Sequence, residues 1–536
     1  MSRRYLGATA LVVAALAWDR PSASGQAGSS VPKGSKMQTN GQNGLALTAA
    51  RRNDAVWPLV PEQAAEFDLR LRNQSGAPQS VNSLSGSLFS PVLRLFDASG
   101  NGMGLYPPAA GGQRAIGDLS GLFPPPPPRL VTLPPGGEET IAVNLWAHRD
   151  PAPPGTYGFD AAHSIGGDGL LTSNRVAFEI VPAQVAGVAL SYDSAQRGNS
   201  VLAWLATPKG GKAARLLVRI SGFVTHATAQ VGATALGDFP SDSHLAVSAS
   251  PPDATFSPAL GWVGVISGDK LQLIEHSMSE PRWRAPVATL PVSGAVPVPR
   301  FPNRVHAVFL ATGSGRQGPA LTGVVAQEGE GALKPWMTPL SAMALHSACA
   351  FSMEGAIAVL YSSDDGKHSR LHRIDVNENG SVASPDRVLR ESSNEVLAMI
   401  ADLRSGSPES VVVLEADRER HDRLALVKVP MSGEPMAMAP RPMADWPTVE
   451  VKGERQPARA QALILETDGA GLPWVAFTDD RGDLIGGRMD GAMTLLREGR
   501  ISRALFPHIG AVARGVSVSC FNPDGTLFHS GKAAAH

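Results

Sequence analysis

Residues 201–222 read VLAWLATPKGGKAARLLVRISG. The first seven are apolar at almost every position, a Pro-Lys-Gly-Gly turn follows, and a second apolar run returns from 214 to 222. A short, continuously apolar run bounded by turn residues is the mark of a strand covered on both faces. The same unit recurs six more times. ALGWVGVI (259–266) meets 270–277, HAVFLAT (306–312) meets 320–327, and GAIAVLY (355–361) meets 370–376. ESVVVLE (409–415) meets 423–430, LPWVAFT (472–478) meets 484–491, and VSVSCFN (516–522) meets 526–531.

The first strands start 44 to 63 residues apart, which leaves room for two more strands in each unit. One such unit exposes its apolar faces, whereas units packed in a closed ring bury both. Residues 184–532 are therefore expected to form a β-propeller of about seven blades, with six or eight left open. Two or three further sandwiches are the rival all-β arrangement. VAGVALSY (185–192) is expected to supply the strand that closes the ring.

Upstream, residues 44–183 alternate at period two. EFDLRLR (66–72) puts Phe67, Leu69 and Leu71 on one face; VLRLFD (92–97) is a second strand. Residues 140–145 place Ile141, Val143 and Leu145 inward, and 176–181 place Val176, Phe178 and Ile180 inward. Short alternating strands without helical periodicity are what a β-sandwich requires. Leu133-Pro134-Pro135-Gly136 precedes one strand and Pro154-Gly155-Thr156-Tyr157 the next. This pair of motifs resembles the immunoglobulin-like domains of exported bacterial proteins, in which such a domain precedes a propeller-like repeat domain. The resemblance implies that Tyr157 acts as a tyrosine corner, with its ring in the core and its hydroxyl on backbone. Pro124 to Pro128 form an exposed polyproline stretch inside a long insert.

At the N-terminus, Arg3 and Arg4 precede an apolar run from 6 to 18, too short to span a bilayer, and small residues follow. Residues 1–25 read as a signal peptide and 26–43 as a disordered, Gly/Ser/Gln-rich linker. Export to the periplasm, the outer surface or the exterior follows, with no membrane span after signal removal. The paired arginines leave Sec and twin-arginine routes both open.

The 536 residues carry 47 Lys and Arg against 48 Asp and Glu, so no net field draws nucleic acid. The two cysteines, Cys349 and Cys520, form a pair or stay as buried hydrophobes.

No catalytic, cofactor-binding or metal-ligating set is assigned. Gly313 to Gly318 (GSGRQG) matches a dinucleotide-loop pattern, but strand rather than helix residues follow it. SSDDG (362–366) and TDDRG (478–482) resemble the Asp-box turns of sialidase-like propellers, without their aromatic; in such turns the Asp accepts backbone N–H groups. After residue 185 only Tyr192 and Tyr361 are available as a sialidase-type nucleophile, and the Phe-Arg-Ile-Pro motif is missing. His368 and His372 suit a metal only on a helix, and here they lie in turn and strand. Met431, Met436, Met438 and Met443 read as a connector packed on a blade, and Arg481-Gly482-Asp483 as a hairpin tripeptide.

The reading is an exported, non-enzymatic binding or scaffolding protein without a cofactor, holding a protein or glycan at the propeller face. The alternative is a propeller enzyme acting on an extracellular polymer, with Asp364, Asp365, Asp479 or Asp480 as its acids. An enzyme should bring two carboxyls into one pocket, one of them raised by burial.

Overall fold

A computed structural model describes residues 43–534 apart from 54, 86–90, 107–128, 149–150, 167–168, 193–199, 222–231, 251–259, 278–280, 299–306, 327–332, 341–343, 354, 402–409, 420–423, 432–447, 452–453 and short runs between the strands after 457. The expected signal peptide, almost all of the linker, the polyproline stretch, Asp479 and Asp480 lie outside the described residues.

The protein is all-β. In its N-terminal part, Leu45–Arg51, Glu66–Asn73 and Glu138–Asn144 form one antiparallel sheet in that spatial order. A second sheet runs Val176–Ile180, Gly155–Gly166, Val92–Phe96, Gly102–Tyr106, with Gly169–Thr172 also paired to Gly155–Gly166. The alternation at 66–72 does what its period demands: Phe67, Leu69 and Leu71 are fully buried between the sheets. Phe67 meets Phe159 at 4.5 Å between ring centroids, and Phe178 stacks on Tyr157 at 5.6 Å. The Tyr157 hydroxyl donates to the Pro153 carbonyl at 2.7 Å, so the ring is in the core and the hydroxyl on backbone. Ile141 and Val143 pack against this core, while Leu145 enters it from a short 3-10 turn.

Val181 and Pro182 alone separate the last strand of this part from the next sheet. From there, antiparallel sheets follow one another along the chain, each from contiguous sequence. The first takes Ala183–Tyr192, Ser200–Pro208, Ala213–Ser221 and Thr234–Pro240 in simple up-and-down order. The second spans His244–Ser250 to Pro281–Thr289, the third Ser293–Pro297 to Trp336–Pro339, and the fourth Ala344–Met353 to Val382–Ser392, all four-stranded. The fifth has Glu395–Ala401, Ser410–Ala416 and Leu424–Pro430; a separate hairpin, Thr448–Val451 with Glu454–Pro457, comes before the sixth. The sixth spans Ala462–Thr467 to Thr494–Arg497, and the seventh His508–Val512 to Ala533–Ala534.

Every hairpin expected from the sequence is present, as the second and third strands of its sheet. The reason for the unbroken apolar runs is now visible. In VLAWLAT, Ala203 and Leu205 pack toward the second sheet, while Leu202, Trp204 and Ala206 pack the other way. In AIAVLY, Ile357, Val359 and Tyr361 face the third sheet, and Ala358 and Leu360 face the fifth. Each sheet is thus sandwiched between its neighbours, and separate cores fill successive gaps. The last gap joins Ala476 and Leu484 of the sixth sheet and Phe521 of the seventh to Val185, Trp204 and Leu217 of the first. The ring closes, and the fold is a β-propeller.

One expectation is corrected. Residues 185–192 do not close the ring by pairing with the last sheet; they belong to the first strand of the first sheet, bonded to Ser200–Pro208. Sharing a strand would require the first and last sheets to draw on both chain ends. Here each is assembled locally, and side chains pack across the seam, with Trp204 and Phe521 rings 5.2 Å apart.

Candidate functional site

Three connections meet at one end of the fourth and fifth sheets. They are the turn 365–368, the crossing from Ser392 to Glu395, and the residues after Ser410–Ala416. In the first, Gly366 takes a φ of +85°, a left-handed value that a side chain disfavours, and this turns the chain back. Asp364 Oδ1 accepts the Gly366 N–H at 2.7 Å, and Asp365 Oδ1 accepts those of Lys367 and His368 at 2.9 and 2.7 Å. The Asp-box likeness thus extends to the role of its acids, which tie the turn.

Asp364 is bound further by Arg418, from beyond the fifth sheet's second strand, and by the Ser369 hydroxyl. Arg418 Nε also reaches the Ser393 carbonyl at 2.8 Å, so one guanidinium joins all three connections. Alongside, Glu415 is buried and accepts from Arg390 Nε at 2.9 Å and Ser392 Oγ at 2.9 Å. Arg370 bridges Asp365 and Glu391 at 3.0 and 2.8 Å.

Burial pulls the Asp364 carboxyl upward, yet the bonds from Arg418, Ser369 and Gly366 outweigh it, and the net shift is downward. Backbone N–H groups of His368 and Lys367, then Arg370, hold Asp365 at about 2. Both acids are therefore fixed anions, the opposite of a general acid, which needs a raised value. Asp364 and Asp365 sit side by side at one turn, not on two separate elements.

A constellation not found from sequence lies deeper in the fourth sheet. Ser363 Oγ is 2.8 Å from His372 Nε2, and His372 Nδ1 is 3.0 Å from Asp386 Oδ2. The connectivity is that of a nucleophile, a base and an orienting acid. Access is not. Ser363 is 1% exposed, and the His372 ring stacks on Tyr361 at 4.6 Å with planes 6° apart. Burial, followed by Asp386, raises the Tyr361 hydroxyl well above its ordinary value. A substrate carbonyl cannot reach Ser363 Oγ, so the set is a polar tie within the gap between the third and fourth sheets.

The remaining sequence candidates fall as follows. His372 points into that gap, while His368 lies in the preceding turn; they share no ligand. Residues 313–318 are strand–turn–strand, with Gly315 opposite Gly318, so no helix end is offered to a phosphate. Met431 is buried against the fourth and fifth sheets; its partners at 436, 438 and 443 are outside the described residues. Asp483 is buried, and Arg481 and Gly482 are outside the described residues. Cys349 is a buried free thiol, and the side chain of Cys520 lies outside what the structure describes. Among the described residues no group of three His, Cys, Asp or Glu could hold a metal, and no helix is long and apolar enough to cross a membrane.

No family model matches the chain, and no curated protein matches it. Solved structures that overlap it are propellers at low identity. The SapL1 lectin bound to α-methyl fucoside is 11% identical at a TM-score of 0.32, covering 60% of this chain and 96% of that one. A six-bladed fucose lectin of Aleuria aurantia is 10% identical at 0.30, covering 54% and 91%. An acylaminoacyl peptidase of Pyrococcus horikoshii is 9% identical at 0.35, covering 66% and 52%. The propeller assignment stands on the order and packing of this chain's own sheets.

Proposed function

We propose that this is an exported binding or scaffolding protein of a bacterial envelope or exterior, taking a protein or glycan at its propeller face. The observation that carries this reading is the state of the acids at the end of the fourth and fifth sheets. Asp364 and Asp365 are locked as anions by arginines and backbone N–H groups, so they present fixed polar groups rather than a transferable proton. Connections between blades converge at such ends, which is where propellers hold ligands. The ring sheets are taken as seven blades, and the N-terminal pair of sheets as an immunoglobulin-like sandwich. Support for the latter is the Tyr157 corner, whose ring lies in a core held by apolar packing.

The test is to express the full chain with its N-terminal segment in a bacterial host, fractionate the cells, and screen the recovered protein on glycan and envelope-protein arrays. Recovery outside the cytoplasm with saturable binding and an unchanged ligand is expected. Cytoplasmic retention would overturn export. Release of shortened polymer products would overturn the binding role in favour of the enzyme alternative.

A further inference from the structure

The segment from 57 to 65 leaves the N-terminal core and enters the ring at its seam. On its own side, Leu59 forms a parallel bridge with Ile180 and donates its N–H to the Glu179 carbonyl at 3.0 Å. Trp146, fully buried in the N-terminal core, donates its indole N–H to the Gln63 carbonyl at 2.8 Å. The same few residues then bond to both flanks of the seam. On the first sheet, Gln63 bridges Ala233: the Ala64 N–H donates to the Ala233 carbonyl at 2.8 Å, and the Ala233 N–H donates to Glu62 at 2.7 Å. Arg215, 4% exposed, donates to the Pro58 carbonyl at 2.7 Å and to Gln63 Oε1 at 2.8 Å. On the seventh sheet, the Leu527 N–H donates to Glu62 Oε1 at 2.9 Å. Val60 fills the apolar gap between these flanks, with Trp204, Phe521 and Leu484.

Ring sheets held by a shared strand gain a continuous ladder across the seam. Among the described residues no ladder crosses the seam, and the Ala183 N–H donates directly to the Asp524 carbonyl at 3.1 Å. Glu62 itself sits at a φ of +67°, a conformation costly for a side chain and kept only where its surroundings over-determine it. The spacing leaves little slack: a Cβ on Gly232 would lie 3.0 Å from Ala64 Cα.

We infer that residues 57–65 are the clasp of the propeller: the N-terminal unit closes the ring in place of a shared strand and is docked to it as one rigid body. Glu62 and Gln63 are its positioning residues, binding the seventh and first sheets respectively.

Hydrogen exchange on the full chain tests this. In Glu62→Ala, amides of Ala183–Tyr192 and Leu527–His529 are expected to exchange about tenfold faster or more, because local opening at the seam no longer has to break the Glu62 bond. Amides of Ala356–Asp364 and Ser369–Val376, three sheets from the seam by either route, keep their protection. Glu62→Gln retains an acceptor oxygen and is expected to restore the slow exchange; it also keeps the test readable if the alanine variant does not fold. Unchanged protection at Leu527–His529 in Glu62→Ala would overturn the inference. So would equal acceleration in every sheet, which would mean the segment adds only general stability.

Discussion

Asp365 is exposed, yet its carboxyl sits at about 2, against an ordinary 3.8, because two backbone N–H groups and Arg370 favour the anion. A depressed folded value adds stability that is complete above the unfolded value and lost as pH falls toward the folded one. Asp365→Asn should therefore melt at a lower temperature than the unmodified protein at neutral pH, with the gap closing between about pH 4 and pH 2. A gap that does not change with pH would remove the carboxylate's charge from the explanation. Tyr157 offers a second residue-level test. The resemblance carried by Pro154 to Tyr157 implies a backbone partner for its hydroxyl, and the structure shows that partner to be the Pro153 carbonyl. Tyr157→Phe keeps the stacked ring and loses one part-buried hydrogen bond, so chemical denaturation should show a loss of about 1 kcal/mol. At this scale the turn acids were legible too, since a Ser-x-Asp-x-Gly spacing fixes local bonds. Ser363, His372 and Asp386 were not. Ser363 and His372 meet across the regular ladder of Ala356–Asp364 with Ser369–Val376, but Asp386 reaches His372 across the irregular register between Ser369–Val376 and Val382–Ser392, which shifts at Leu371/His372 and at Arg373/Asp375.

Among the elements, the second strands of the ring sheets were readable because burial on both faces favours near-continuous apolar runs, as in Ala356–Asp364, and the third strands because a turn brings each back beside its partner. The outermost strands were not. Val382–Ser392 carries Pro385, Asp386, Arg387, Arg390 and Glu391 and is largely exposed, the composition that keeps an open edge from pairing with another chain. Close packing of side chains from the flanking strands of the same sheet also sets glycine positions that no turn explains. Gly323 is in the middle of Gly318–Ala326, and a Cβ there would lie 2.2 Å from Trp336 Cζ2 and 2.7 Å from Leu310 Cδ2. Gly323→Ala should cost about 1–3 kcal/mol or more in thermal or denaturant unfolding, through forced displacement of the indole. Shrinking the ring opposite, as Gly323→Ala with Trp336→Leu, should recover part of that loss. Strict additivity of the two substitutions would mean the contact does not govern the site.

Across the molecule, the all-β class and the repeat were legible, whereas the closing of the ring was not. A period in the sequence reports what each unit buries but not which distant segment seals the first unit to the last. Residues 57–65 meet partners at 215, 233 and 527, and no local pattern announces such pairings. Cys349 gives the whole assembly a further property. It is packed between the fourth and fifth sheets, and burial pushes its thiol up to about 12. Thiolate is the form that reacts, so in the closed ring this sulfur is chemically silent. It reacts only when those two sheets part. The rate at which an alkylating reagent marks Cys349, read by peptide mass spectrometry, is therefore a clock for how often the native ring breathes at that gap.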